Sequence, residues 1–412
     1  MVLQRPACWR DWTGLPAGPA GLIAERLLAN DVADYVRFRA ASSAWRASSD
    51  DPRAKSVLDR RYHPRRWIIP RHSFGAHGRR RRLLNVATGE CINLTQPDSR
   101  RYCLLGPTAE GLLVLCRRGT LAMQLLNPLT GQVTELPPAD TLINHQGAQV
   151  EDLQVLSAGM ADDSSMVALV IREPNMWFPY NSYSSYLAVA RPAGDKSWTR
   201  LSTNDRIVSA SQFAGRFYCA TPEKVFVLQA AEGQQPRLVR VADYGFRAAA
   251  DSSLRLVDNN GELIVTLWSR HTNACKVYQA DLDAGKMVSI TPRVEDDKRA
   301  VFISSDGGHA MSVHAGWSPS ISGDAVYFCK RQVANPGLNF DVGDMLEGIV
   351  MRDRRTNDAC SIIDHLARYV PGYWGRRNRF ISKAGGADSS PNQMKDDPRD
   401  PELVNHARQR RS

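Results

Sequence analysis

The chain has 412 residues, 53 Lys and Arg against 43 Asp and Glu for a formal charge of +10, and 43% hydrophobic residues. That length exceeds one small domain and predicts a short module plus a large one. No apolar run approaches the roughly eighteen residues needed to span a bilayer, and the first residues leave no room for a signal peptide, so neither membrane insertion nor export is expected. The eight cysteines are scattered singly, among them Cys116 and Cys329 inside apolar runs. With no Cys-x-x-Cys pair they exclude a zinc ribbon or dithiol motif and predict buried free thiols in a reducing compartment, cytoplasmic, nuclear or both.

In chain order, residues 9–50 predict three short helices. Pro16 and Pro19 stiffen the entry to the first, where missing N–H groups cost least. Leu22, Ile23, Leu27 and Leu28 are expected along one side of it, with Glu25 and Arg26 turned outward. Asp31 stands at the N-cap position of a second helix, with Asp34 in its first turn and Tyr35, Val36 and Phe38 as its apolar face. Ala40, Ala41, Ala44 and Trp45 predict a third helix whose tryptophan closes a very small core. So small a unit needs a neighbour or a partner for stability.

The ordered set Trp12, Leu15-Pro16, Leu22-Ile23, Leu27, Asp31, Arg39 and Trp45-Arg46 resembles an F-box, the helical module that docks a protein onto a ubiquitin-ligase scaffold. It departs from that pattern at Ser42-Ser43, where many F-boxes carry a cysteine. The resemblance implies adaptor binding through Leu15, Pro16, Leu22, Ile23, Leu27, Val36 and Trp45, some of which must also form the module's own core.

Residues 51–65 follow as a polar, Arg-rich linker. Arg79-Arg80-Arg81-Arg82 is the one dense basic cluster, expected at a solvated hairpin tip between strands at Trp67–Ile69 and Leu83–Val86, with a nuclear-import signal as the alternative. Nucleic acid is not an expected partner: charge is spread along the chain, and recognition motifs are lacking.

From residue 66 the texture is short apolar runs separated by Gly, Pro, Asn and Asp, which predicts strands. Leu83-Leu84-Asn85-Val86-Ala87-Thr88-Gly89 returns as Leu125-Leu126-Asn127-Pro128-Leu129-Thr130-Gly131, 42 residues later. Each copy leads to a leucine, Leu94 or Leu136. A period of about 40 to 50 residues is that of a propeller blade. The grammar repeats at Met166–Ile171 with Tyr186–Ala190, Arg216–Ala220 with Val225–Gln229, Glu262–Trp268 with Lys276–Ala280, and Ala325–Cys329 with Gly348–Arg352. The expected fold class is therefore α+β and multidomain: a three-helix N-terminal module, then an all-β propeller-like domain over 66–380 of about six or seven degenerate blades. A polar tail, 381–412, cannot bury enough apolar surface to order itself.

The order of parts is similar to plant F-box proteins carrying the domain of unknown function 295. The likeness rests on residues 125–131 with Leu136-Pro137-Pro138, on Arg299–Ile303 leading to Gly323–Phe328, and on Asp364-His365-Leu366 leading to Val370-Pro371-Gly372-Tyr373-Trp374. It implies the substrate-recognition subunit of an Skp-cullin-F-box type E3 ubiquitin ligase. The partners would be an Skp-type adaptor, through it a cullin-RING ligase, and a protein substrate held on propeller loops. Trp177, Phe178, Tyr180 and Tyr183 in one aromatic loop, and Trp317 in another, are the candidate substrate contacts, the alternative for the first loop being a long hairpin folded onto the side of its own blade. A propeller scaffold without a ligase role is an alternative. A propeller hydrolase is another, but Asp162-Asp163 and Glu295-Asp296-Asp297 lie in turn-like stretches, and no nucleophile, phosphate or metal motif appears. No catalytic residue, cofactor or metal is expected.

Overall fold

The computed structural model describes residues 12–68 and 81–329, apart from residues 86, 89, 95–99, 144–149, 151–152, 162–165, 175–182, 231–232, 250–251, 270–273, 290–298, 305–309, 315 and 317–325. Three helices come first: α1 (Ala17–Asn30), α2 (Val32–Ala41) and α3 (Ser43–Ala47). Ala40 and Ala41 thus end α2 instead of opening α3.

Strands β1 (Trp67–Ile68), β2 (Arg81–Asn85) and β3 (Cys91–Leu94) make the first sheet. Arg81 and Arg82 are strand residues facing Leu94 and Asn93 across the ladder, not part of a hairpin tip. The second sheet is a four-stranded antiparallel meander of β4 (Tyr102–Pro107), β5 (Leu113–Arg117), β6 (Met123–Leu126) and β7 (Val133–Leu136). A third meander holds β8 (Gln154–Met160), β9 (Val167–Pro174), β10 (Tyr183–Ala190) and β11 (Thr199–Leu201).

The next two meanders are β12 (Ser209–Phe213) through β13 (Arg216–Ala220), β14 (Lys224–Gln229) and β15 (Arg237–Asp243), then β16 (Ser252–Asp258) through β17 (Leu263–Ser269), β18 (Ala274–Asp281) and β19 (Lys286–Ser289). They join edge to edge at one parallel pairing, Asp243 with Lys286. The last described sheet has β20 (Arg299–Ser304) between β21 (Ala310–His314) and a parallel β22 (Val326–Cys329).

The meanders stack face to face in chain order, each with its own apolar seam. Leu112, Val114, Met123 and Leu125 meet Val167, Leu169, Ile171 and Tyr186 in one seam. Ala168, Val170, Leu187 and Val189 meet Phe217, Cys219 and Leu228 in the next. Val225 and Val227 meet Leu254, Leu256, Leu263 and Val265 in a third. The middle strands β5, β9, β10 and β13 are therefore buried on both faces, and so they read as largely continuous apolar runs without alternation.

First strands stand beside first strands: β4 neighbours β8, β8 neighbours β12, and β12 neighbours β16. This is the radial order of a propeller-like fold. Crowding there demands small residues. A Cβ on Gly159 of β8 would fall 2.5 Å from the Phe217 ring.

The stretch 51–65, expected as a linker, is packed against the β domain. Val57, Tyr62 and His63 are buried. Arg53 donates to Thr130 O at 3.3 Å, Gln132 Nε2 to Lys55 O at 2.7 Å, and Arg60 to Ala161 O at 3.4 Å. Gly111 has φ of +84°, and a Cβ there would lie 2.4 Å from Pro64 O. Its many charges suggested a solvated link, but exposed arginines flank a few buried anchors.

Candidate docking face of the helical module

Helix α1 starts after Pro16, whose φ of −58° suits a helix entry, and Pro19 falls in the first turn, where N–H groups have no intrahelical partner. Asp31 ends α1 and opens α2. Its N–H donates to Leu27 O at 2.7 Å, while its carboxylate accepts Ala33 N at 2.7 Å and Trp67 Nε1 at 2.9 Å.

The face of α1 that meets α2 is built from Ala20 and Ala24, with Leu27 and Leu28 beside them. This corrects the expectation that Leu22 shares the side of Leu27 and Leu28. At about 100° per residue, positions 20, 24, 27 and 28 form the stripe, Leu22 lies opposite it, and Ile23 lies at its edge, one turn before Leu27. The alanines let Tyr35 and Phe38 of α2 approach closely. Phe38 stacks on Trp45 with centroids 4.8 Å apart, and Tyr35 lies 6.0 Å from Tyr62 of the packed stretch. Arg39 is buried and joins α2 to α3, donating to Arg46 O at 3.1 Å while Arg46 Nε donates to Arg39 O at 3.0 Å.

The seven expected adaptor contacts therefore separate. Leu15, Leu27 and Trp45 are half-buried and pack on the module's core. Val36 is half-buried, and Pro16 is exposed. Leu22 is 64% exposed and Ile23 38%. Trp12, outside the expected docking set though part of the ordered likeness, is 56% exposed. These three are most of the five large apolar side chains left exposed among the described residues, the others being Val133 and Val288. One small module thus holds apolar surface that its fold does not use.

A groove of about 520 Å³ runs between the end of α1, the start of α2 and residues 60–67, lined by Leu28, Asn30, His63, Pro64, Arg65 and Trp67 among others. Arg66 donates to Asn30 Oδ1 across it at 3.0 Å. Burial drives His63 down to about 4, so it is neutral near pH 7, with Nε2 donating to Val57 O at 3.1 Å. Burial raises the carboxyl of Glu110 above its ordinary range. Burial also pushes the Cys116 thiol up to about 12 and raises that of Cys219, so both stay protonated. Cys91, by contrast, is exposed.

Of the expected substrate contacts, Trp177, Phe178, Tyr180 and Trp317 lie outside the described residues. Tyr183 opens β10, its backbone opposite Pro174. Asp162-Asp163, Glu295–Asp297, the closing segment 364–374 and the tail also lie outside them. Among the described residues, no group of three or more His, Cys, Asp or Glu side chains is placed to hold a metal ion. No described helix is long and apolar enough to cross a membrane.

No curated protein matches the chain. Solved structures similar to it include dihydro-heme d1 dehydrogenase NirN in complex with DHE, 14% identical over 63% of this chain and 50% of that one, TM-score 0.34. An oligogalacturonate lyase from Vibrio parahaemolyticus is 11% identical over 60% and 71%, TM-score 0.31. The Cps50 (Swd1) beta-propeller domain from Myceliophteria thermophila is 10% identical over 56% and 72%, TM-score 0.33. Likenesses this distant carry no functional argument. The KIB1-4 beta-propeller family model matches residues 83–360, two thirds of the chain, and this range includes the stacked meanders. The chain belongs to the KIB1-4 beta-propeller family.

Proposed function

We propose that the chain is the substrate-recognition subunit of an Skp-cullin-F-box type ubiquitin ligase, of the plant F-box kind. The helical module docks an Skp-type adaptor, and the propeller presents a protein target. The observation that carries this reading is the outward placement of Trp12, Leu22 and Ile23 on a module whose own core is made with alanines. Large apolar groups in water are unfavourable for the free chain and become favourable once a partner covers them. The ordered F-box likeness of residues 9–46 supplies the kind of partner. In such an assembly the chain catalyses nothing itself. It raises the effective concentration of the target beside the ubiquitin-charged enzyme.

The test is co-purification of an Skp-type adaptor with the intact chain. Replacing Leu15 and Pro16 by charged residues should abolish it. No recovery with the intact chain, or recovery that survives deletion of residues 1–50, sinks the reading.

A further inference from the structure

We infer that Asn85 and Asn127, the matching asparagines of the 42-residue echo, are twin posts that fasten the helical module and the packed stretch behind it to the β domain. The two side chains do the same two jobs. Asn127 Oδ1 accepts the N–H groups of Leu129 at 3.1 Å and Thr130 at 3.2 Å. Asn85 Oδ1 accepts those of Ala87 at 2.8 Å and Thr88 at 3.3 Å. Each thus closes the turn after its strand, and each backbone N–H spans that turn at 2.8 Å, to Gln132 O and Glu90 O. The amide nitrogens then leave the sheet. Asn127 Nδ2 donates to Tyr62 O at 2.8 Å, and Asn85 Nδ2 donates to the carboxylate of Asp31 between α1 and α2. Both asparagines are buried, so these donors have no water to fall back on.

A third turn shows that the second job is separable from the first. After β18, Asp281 Oδ1 accepts Ala284 N at 2.8 Å, and Gly285 follows with φ +66°, as Gly131 does with φ +75°. Aspartate can close this turn but has no N–H to donate. Asparagine stands at the two turns that touch the N-terminal elements, and aspartate stands at the turn after β18. The echo is therefore more than a blade repeat: it is a turn motif fitted with an outward donor where the module must be held.

The inference concerns the free chain and holds whether or not an adaptor binds. Hydrogen exchange of the full-length chain tests it, read by mass spectrometry on Asn85→Asp, Asn127→Asp and Asp281→Asn. The two Asn→Asp changes keep the turn acceptor and remove the donor, and Asn85→Asp also sets a second carboxylate against Asp31. Exchange in residues 17–41 and 52–63 should become about tenfold to a hundredfold faster, while β9, β13 and β17 stay protected. Asp281→Asn should change neither. Acidification should partly restore Asn85→Asp relative to the native chain at the same pH, because one shared proton recreates a donor. Unchanged exchange in the module overturns the inference. So does equal loosening of module and sheets, or unfolding of the whole chain in both Asp variants, because the asparagines would then serve the sheets alone.

Discussion

The helical module and the stacked sheets differ in how many of their large apolar side chains they leave outside the core. In the sheets these groups point into the seams: Val167 through Ile171 is buried on both faces of β9, and small residues such as Gly159 are kept for the crowded first strands. In the module Ala20 and Ala24 lie inside with Tyr35 and Phe38, while Trp12, Leu22 and Ile23 stand in water. Its core is so thin that it borrows Tyr62 from the stretch behind it. A region that closes its own core is stable by itself, whereas one that leaves apolar groups outside is shaped for a partner.

The contrast is broken most severely by a seam truncation. Phe217→Ala should cost about 3–5 kcal/mol in equilibrium denaturation, because Phe217 is fully buried against Gly159. A loss under about 1 kcal/mol would mean the seams are loosely packed. Gly111→Ala comes next, at about 2–4 kcal/mol, since it combines a left-handed backbone with a Cβ driven into Pro64 O. That change tests the join between the two regions.

Titration of His63 and Glu110 tests the same join with opposite signs. The folded His63 value, about 4, lies below its ordinary 6.5. Its contribution is complete above pH 6.5 and fades as pH falls toward 4, a loss of about 3 kcal/mol that His63→Gln should flatten. Glu110 is raised, so its contribution is complete at low pH and fades as pH rises above the ordinary carboxylate range. Glu110→Gln should therefore raise the melting temperature at pH 7, and a lowered one would contradict that burial effect. The smallest effect belongs to the module's outer face. Leu22→Ser and Ile23→Ser should each alter stability by less than about 0.5 kcal/mol, and a larger loss would place these residues in the core.

Much of the β domain was legible as sequence. Arg216–Ala220 is β13 as read, and Lys276–Ala280 lies within β18. Both are middle strands of their meanders, and β13 is buried on both faces. The first strands β8 and β12, rich in Ser, Ala, Gly and Gln, escaped the reading because crowding near the axis selects size over hydrophobicity. The echo was visible, but its link to the helices was not, because Asn85 reaches back 54 residues and Asn127 65. In the module the positions of Leu22, Ile23 and Trp45 were marked. Which of them face inward was hidden, because the inward contacts of α1 rest on alanines that carry little hydrophobic signal.

The central claim is that the module's exposed apolar face is a docking site for an Skp-type adaptor. Its most direct test is calorimetric titration of the purified adaptor into the intact chain and into a variant with Leu22→Glu and Ile23→Glu. Saturable one-to-one binding to the intact chain, weakened about a hundredfold in the variant with an unchanged melting temperature, is the predicted result. No binding to the intact chain, or equal binding to both, would contradict it.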